Sequence, residues 1–336
     1  MKAFRSLALA SWCILFNVAA AGTPARDNKE STLGWDAAAM HYEVHTDQEI
    51  HRAVNTTAGN AVIVVCADIM LKSPLMITDK SGLVFRSAYG RQFLLSGRGE
   101  VQIMILQGAS NVLVFNLTLS MGYSTGTAYI NAGGAVTVFG ASASFEARHV
   151  TFYGSESELG GAVACSGGAF CRFLATNFTK CHANLGGGIF LFGTARAQVV
   201  DSTFDSCRAV KNAGAVYAEN EAVANFTRVA FSHCTAEAYS GAVYLAVSAH
   251  GFFDSSSFHA CTTFFYAGAI FAFQGSEAVL QNCTFASCRA RYGGAVMLND
   301  ASRTAMTGVL FTSCVASVYG GNAKFQNKIS IVDIMS

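Results

Sequence analysis

The sequence predicts an all-β chain that winds into a single-stranded parallel β-helix, a three-sided solenoid with 26 or 27 residues in each regular coil. Two observations support this prediction. A glycine-alanine-aliphatic phrase is followed seventeen residues later by F-x-x-C, and the pair repeats through the second half of the chain. Short apolar runs with glycine or polar breaks, typical of buried strands, fill the rest. A fixed period of this length indicates stacked units that cannot bury their apolar faces alone.

The regular repeat places three residue types at fixed positions. Its second glycine recurs at Gly134, Gly161, Gly187, Gly214, Gly241, Gly268, Gly294 and Gly321. Its phenylalanine recurs at Phe152, Phe178, Phe204, Phe231, Phe258, Phe285 and Phe311. A cysteine follows three residues later at Cys181, Cys207, Cys234, Cys261, Cys288 and Cys314. We predict three strands per coil: one after the glycine, one whose apolar residue lies five positions before the phenylalanine, and one carrying the phenylalanine.

The N-terminus has the composition of an export signal. Lys2 and Arg5 precede an apolar run over residues 7–20, and small residues follow that suit cleavage before Gly22. A membrane anchor is the weaker alternative, because the apolar run is short. We therefore expect residues 1–21 to be a signal peptide, and the mature protein to be secreted, extracellular or bound at the cell surface.

The mature chain divides into three parts. Residues 22–60 form an N-terminal segment in which the spacing of Ile50 and Val54 predicts a short capping helix from about Asp47. Residues 61–130 read as irregular early coils, and residues 131–336 as the regular repeats. The helix would cover the open end of the solenoid, where unpaired strand edges invite aggregation.

The overall charge excludes some partners. The net charge is +1 and 13% of the 336 residues are charged, so the charge balance does not favour binding to nucleic acid or to an anionic membrane. No run of eighteen apolar residues follows the N-terminus, and we expect no transmembrane segment in the mature chain.

The repeat phrase resembles a known family. GGAV at residues 293–296 followed by FTSC at residues 311–314 is similar to the GGAI and FxxN repeats of the polymorphic outer membrane proteins, a branch of the pectin-lyase-like superfamily. The resemblance covers about residues 131–323, with Cys in place of the family's Asn, and implies a right-handed β-helix. The family's membrane-inserting barrel is not expected, because the chain ends at Ser336. A leucine-rich repeat has a similar period, but its leucine columns are missing.

The same resemblance raises the possibility of a polysaccharide-active enzyme. Glycoside hydrolysis needs two neighbouring carboxylates, and lyase chemistry needs clustered acids beside a basic residue. Asp201 and Asp205 lie four residues apart across a corner, and Asp254 lies two coils along. No outward column combines two acids with Lys or Arg, so we predict no catalytic residues, no metal site and no cofactor.

The cysteines of F-x-x-C have three interpretations. They pack as small buried side chains, they form disulfides between adjacent coils, or they bind a metal, which a straight line of thiols suits poorly. Cys165 and Cys171 bracket one corner and are either a disulfide or two free thiols.

Two further sets of residues point to the surface. The five N-x-S/T sequons are candidate glycosylation sites, at Asn55, Asn116, Asn177, Asn225 and Asn282. The outward positions of the first strand in four consecutive coils are aromatic: Phe190, Tyr217, Tyr244 and Phe271. Stacked in register, these rings would make an exposed strip that binds a ligand, unless both faces of this strand are covered.

The sequence thus favours an exported, non-catalytic rod for adhesion, in contact with a polysaccharide or other glycan, or with a cell-surface protein. The alternative is a polysaccharide lyase or hydrolase, which needs an acidic or basic cluster on one face. A purely structural wall component, which would show neither feature, is the third possibility.

Overall fold

The computed structural model describes residues 39–126, 132–326 and 332–335. The predicted signal peptide lies outside these ranges. Within them, every strand pairs in parallel with the strand one coil before or after it, and the strands collect into stacks along the coil axis. The predicted fold class, an all-β parallel β-helix, is confirmed.

The predicted helix, α1 (Asp47–Thr56), precedes the first coils. Its N-cap is Thr46, whose side chain accepts the backbone N–H of Glu49 at 3.3 Å. The Glu49 carboxylate in turn accepts the backbone N–H of His45 at 2.7 Å. The two hydrogen bonds resemble a capping box, except that Glu49 accepts the N–H of the residue before the N-cap, and the helix begins at Asp47 as predicted. Ile50 and Val54 are buried in the main core.

The first stack holds the strands that follow the glycines. Its members are β4 (Leu75–Thr78), β7 (Met104–Gln107), β11 (Val136–Phe139), β15 (Val163–Ser166), β19 (Ile189–Phe192), β23 (Val216–Glu219), β27 (Val243–Ala246), β31 (Ile270–Ala272), β35 (Val296–Asn299) and β39 (Ala323–Gln326). The second stack is longer and includes the edge strand before α1. Its members are β1 (Met40–Val44), β2 (Ala61–Val65), β5 (Leu83–Ser87), β8 (Asn111–Phe115), β12 (Ser144–Arg148), β16 (Phe170–Leu174), β20 (Arg196–Val200), β24 (Val223–Thr227), β28 (His250–Asp254), β32 (Glu277–Gln281), β36 (Arg303–Thr307) and β40 (Val332–Met335).

The third stack carries the phenylalanine column. Its members are β3 (Ile69–Met70), β6 (Phe93–Ser96), β9 (Leu117–Ser120), β13 (Thr151–Tyr153), β17 (Asn177–Thr179), β21 (Thr203–Asp205), β25 (Ala230–Ser232), β29 (Ser257–His259), β33 (Thr284–Ala286) and β37 (Leu310–Thr312). A fourth stack, which the sequence did not predict, joins the third stack to the next glycine corner. Its members are β10 (Tyr123–Ser124), β14 (Glu156–Leu159), β18 (His182–Leu185), β22 (Arg208–Asn212), β26 (Thr235–Ala236), β30 (Thr262–Thr263), β34 (Arg289–Tyr292) and β38 (Val315–Tyr319).

The interior is built from the three predicted apolar columns. Phe178 stacks on Phe204 with ring centroids 4.4 Å apart, and Phe231 lies 5.0 Å from Phe204 and 4.6 Å from Phe258. These rings are buried, as are the aliphatic residues of the first stack and the apolar column of the second. Phe311, in the last ring of the column, is only partly buried.

The corner before each phenylalanine turns through the left-handed region of backbone space. The residue three positions before the phenylalanine has φ between 48° and 62° in each regular coil, as in Asp201 (50°), Arg228 (53°) and Gly308 (62°). Most residues at this position are not glycine, although such φ values are uncommon for them. The repeated corner is therefore a fixed feature of the coil rather than a property of one residue.

Candidate functional site

The aromatic strip predicted to bind a ligand is Phe190, Tyr217, Tyr244 and Phe271. Its rings stack on consecutive coils as predicted, with successive centroids 5.4, 5.1 and 5.4 Å apart. They also point away from the main core, since they belong to a separate apolar cluster. The prediction that they are exposed is wrong, because at most 6% of any of the four is accessible. The strip is a second apolar core, and the binding role loses the surface on which it depended.

The cover over this second core comes from the last residue of a fourth-stack strand or from the turn that follows the strand. The residue two positions before the second glycine packs against the strip, as Leu185 does in one coil and Tyr239 and Tyr266 in later coils. The Tyr239 ring lies 5.5 Å from that of Tyr244 and 5.7 Å from that of Phe271. Burial raises the pKa of the Tyr244 hydroxyl well above its usual range. The alternation of side chains along each first-stack strand predicted which face carries these rings, but it did not predict which residues cover that face.

The covering tyrosines form an aromatic row of their own that reaches the surface. Successive ring centroids are 5.2, 6.0 and 6.4 Å apart along Tyr239, Tyr266, Tyr292 and Tyr319. Tyr239, Tyr266 and Tyr292 are half-buried, while Tyr319 is 66% exposed. Beside Tyr266, Phe264 is 69% exposed and meets Phe265 edge to face at 4.8 Å. We call these six residues the aromatic edge: Tyr239, Phe264, Phe265, Tyr266, Tyr292 and Tyr319.

Two arginines lie beside the aromatic edge on β34. The Arg291 guanidinium carbon is 5.4 Å from the centroid of the Tyr292 ring, a cation–π contact, and Arg289 is exposed two residues earlier on the same face. Among the ion pairs of the described residues, none involves Arg289 or Arg291. This part of the fourth stack is therefore an exposed aromatic surface with positive charge, away from the strip in which the sequence predicted exposed rings.

A small polar cleft of about 70 Å³ lies on the fourth stack in the earlier coils. Its lining includes two carboxylates, and both have partners. Glu156 lies 3.5 Å from the His182 ring nitrogen, and Glu158 accepts a hydrogen bond from the Asn184 amide. Among the described lining residues there is no lysine or arginine, and the basic side chain present is the His182 imidazole beside Glu156. The cleft therefore does not contain the cluster of acids with a lysine or arginine that was sought for a polysaccharide-active enzyme.

The acids considered for catalysis are held in exposed contacts. Asp201 accepts two hydrogen bonds from the Arg228 guanidinium, at 2.6 and 2.9 Å, and this pairing lowers the pKa of the Asp201 carboxyl. Asp205 lies 3.4 Å from a ring nitrogen of His233. Asp254 accepts a hydrogen bond from the adjacent Ser255 hydroxyl. Asp201 and Asp205 lie in one coil, whereas Asp254 lies two coils later. Arg228, in the coil between them, has its pKa raised first by Asp201 and also by the charge of Asp254.

The six cysteines of F-x-x-C form a buried ladder of free thiols. Each of the first five donates to the carbonyl of the phenylalanine one coil earlier. Cys207 reaches the Phe178 carbonyl at 3.4 Å, for example, and Cys234 reaches that of Phe204 at 3.5 Å. Contact with the Cys261 thiol, together with burial, raises the pKa of Cys288 to about 12. Of the three interpretations of this column, the structure contains the packed thiols.

Cys165 and Cys171 are likewise buried and free. Burial, with the Cys165 thiol beside it, raises the pKa of Cys171 well above its ordinary value. The two thiols therefore neighbour each other at the corner between the first and second stacks without the disulfide that the sequence left open.

Thiol labelling is expected to separate one cysteine from the rest. Cys66 is half-buried, while the other nine described cysteines are buried. A reagent must reach the sulfur atom, so buried thiols should not react in the folded protein. Among the ten described cysteines, a maleimide should modify Cys66 alone in the native protein and all ten after denaturation without reductant. Mass spectrometry after digestion gives the sites, and missing labels in the denatured sample would show inter-coil disulfides instead.

All five predicted glycosylation sequons lie in the described residues. Asn55, Asn177, Asn225 and Asn282 are exposed. Asn116 is partly buried, and its side-chain amide donates to the Arg91 carbonyl at 3.2 Å. Four of the five asparagines are thus accessible in the folded chain, and their modification stays a prediction.

Comparison with known proteins supplies the hand of the helix. A family model described as a right handed beta helix region matches residues 187–331. Solved structures similar to this chain include pectate lyase II from Xanthomonas campestris pv. campestris, at 10% identity over 82% of this chain and 80% of that one, with a TM-score of 0.33. A doubly substituted pectate lyase from Xanthomonas campestris matches at 10% identity over 84% of each chain, also with a TM-score of 0.33. ORF18 of Geobacillus virus E2 matches at 11% identity over 86% of this chain and 58% of that one, with a TM-score of 0.32.

No curated protein matches the sequence. Among the described residues, no helix has the length and apolar character needed to cross a membrane. The resemblance of the repeat to the polymorphic outer membrane proteins stays a prediction. The coil geometry and the family-model match agree on the fold: a right-handed parallel β-helix.

Proposed function

We propose that the protein is an exported, non-catalytic β-helix that binds an anionic polysaccharide along the aromatic edge. The single observation that carries this proposal is the exposure of Phe264 and Phe265 beside a row of stacked tyrosines. Large apolar side chains that are exposed together on a protein surface usually mark a site that binds a ligand or a partner. The tyrosine row beside them repeats at the spacing of the coils, which suits a ligand that is itself extended and repetitive.

The chemistry of the aromatic edge favours a sugar polymer. Aromatic rings offer apolar surface to the C–H faces of sugar rings, and tyrosine hydroxyls add hydrogen-bonding groups at the rim. Arg289 and Arg291 supply positive charge and planar donors on the same strand. Guanidinium groups recognise carboxylates and similar anions with paired hydrogen bonds. Together these groups suit a polymer that carries acidic groups, such as a uronate chain.

Export is compatible with a chain that keeps many free thiols. The signal-like residues 1–21 support export, and an oxidising environment normally favours disulfides. Nine of the described cysteines are buried, and buried thiols are protected from exchange. The buried cysteines can therefore stay reduced in the interior of the β-helix while the protein works outside the cell.

The proposal is tested by binding to polygalacturonate and alginate, with neutral xylan as comparison. Affinity electrophoresis of the full chain should show retardation by the anionic polymers, weakened by salt because exposed charges are screened. The double variant Phe264→Ser/Phe265→Ser should lose about tenfold or more in affinity, equivalent to about 1.4 kcal/mol. The substitutions remove two exposed aromatic rings and leave the fold in place, so the circular dichroism spectrum should not change.

A matched control uses two phenylalanines on another face. Phe170 and Phe252 are each 41% exposed on the second stack. The variant Phe170→Ser/Phe252→Ser should bind as the wild type does. Equal binding by the Phe264/Phe265 variant, or no retention of the wild type by any polymer, would refute the proposal. Release of unsaturated sugars by the pure protein would instead identify a lyase.

A further inference from the structure

A group of three potential metal ligands lies at the N-terminal end of the second stack. The carboxylate of Glu43, the imidazole of His45 and the thiol of Cys66 each offer one ligand atom, and these atoms all lie within 4.8 Å of one another. Glu43 and His45 are exposed and Cys66 is half-buried, so solvent reaches the group. The three residues belong neither to the cysteine ladder nor to the aromatic edge.

The register of the first two strands brings these residues together. Glu43 and His45 are two positions apart, so both point to the same face of an extended strand. That face is the outer one, because Tyr42 and Val44 pack on the main core. β1 and β2 pair with Val44 opposite Val65, which places Cys66 opposite His45 in the next coil. The spacing of twenty-one residues between His45 and Cys66 hides this contact in the sequence.

The backbone that carries the ligands is held in place. The N–H of Cys66 donates to the Val44 carbonyl at 2.9 Å, which extends the β1–β2 pairing by one residue. The N–H of His45 donates to Glu49 in the first turn of α1. The Cα positions of the three residues are therefore fixed by a strand pair and a helix cap, while the side chains of Glu43 and His45 are exposed.

We propose that Glu43, His45 and Cys66 bind a zinc ion with three protein ligands and an open fourth position. Cysteine, histidine and a carboxylate are the side chains that bind Zn²⁺ in proteins, and three such ligands plus water is a common set. Ligands at about 2.0–2.3 Å from a tetrahedral zinc lie about 3.5 Å apart, so the atoms need to close by only about 1 Å. Binding replaces the thiol proton of Cys66, which leaves to solvent, and the thiol gives up its contact with the Val64 carbonyl.

One nearby charge opposes a cation. Arg86 lies opposite Val64 on the strand that follows, and so on the same outer face one row beyond the three ligands. Its positive charge should weaken binding of Zn²⁺ without contacting it. The variant Arg86→Gln is therefore expected to bind Zn²⁺ more tightly, because it removes the repulsion and keeps a polar side chain of similar shape.

The test uses the full chain with Zn²⁺ and Co²⁺ alone as probes. One equivalent of Co²⁺ should give the thiolate-to-metal charge-transfer absorption of a cysteine ligand, and Zn²⁺ should abolish it by competition. Cys66→Ser should remove that absorption, His45→Ala should lower the affinity by more than about 100-fold, and Arg86→Gln should raise it. The control His41→Ala, two residues before Glu43 on the same face of β1, should bind as the wild type does.

Two results would overturn the assignment. Charge-transfer absorption that persists in Cys66→Ser would place the metal on other cysteines, such as the ladder. A wild-type chain that binds neither ion at micromolar concentration, while circular dichroism shows it folded, would mean that the three residues hold no metal.

Discussion

Replacing Gly241 by alanine is expected to destabilise the protein by about 3 kcal/mol or more, or to prevent folding. A Cβ atom at this position would collide with the carbonyl oxygen of Gly268 and would lie 2.6 and 2.9 Å from the backbone N and O of Thr262. All three contacts are backbone atoms of the next coil, so no side chain can move aside. Urea unfolding followed by circular dichroism measures the loss.

The same column supplies the control. Among the described residues, a Cβ added to Gly321 would meet a single neighbour, the Cys314 carbonyl oxygen at 4.0 Å. Gly321→Ala should therefore change the free energy of unfolding by less than about 0.5 kcal/mol. If Gly241→Ala proves as stable as Gly321→Ala, the coils do not approach each other at this corner as described.

Truncation of the central phenylalanine, Phe231→Ala, should cost about 3–5 kcal/mol. The ring is fully buried and sandwiched between Phe204 and Phe258, with Phe226 edge-on at 5.5 Å. Its removal leaves a cavity whose walls are fixed by strand pairing on both sides, so the site cannot collapse. Equilibrium unfolding in urea gives the difference in free energy.

The comparison variant is Phe252→Ala, one coil along and 41% exposed on the second stack. It should lose less than about 1 kcal/mol, because little apolar area is removed from the interior. A loss below about 1 kcal/mol for Phe231→Ala as well would show that the phenylalanine column is not core.

The sequence could predict the interior because burial there follows strict columns. Phe178 and Phe204 recur in step, and a buried column of one residue type needs no tertiary information to be recognised. The fourth stack was missed for the opposite reason. Strands such as β18 (HANL) and β30 (TT) are short and consist mostly of polar or small residues, so they carry no apolar period. Their pairing is visible only once the coils are stacked.

The candidate sites depended on contacts that the linear pattern does not contain. Tyr217 and Tyr244 were assigned to the correct side of their strand, but that side is covered from the preceding corner, where Tyr239 lies five residues before Tyr244 with its ring centroid 5.5 Å away. The repeat of tyrosine two positions before the glycine, at Tyr239, Tyr266 and Tyr292, was the available signal for that cover. His45 and Cys66 meet only through the register of two strands.

The uniform register between coils has a consequence for how the chain can change in length. Each regular coil presents the same backbone edges to the coil before and after it, as β20 pairs with β24 and β24 with β28. Gain or loss of one whole coil rejoins matching edges and keeps every apolar column continuous. Gain or loss of a single residue within a strand would turn its interior side chains outward. Viable length variants should therefore differ by complete coils, which makes the chain extendable in steps of 26 or 27 residues.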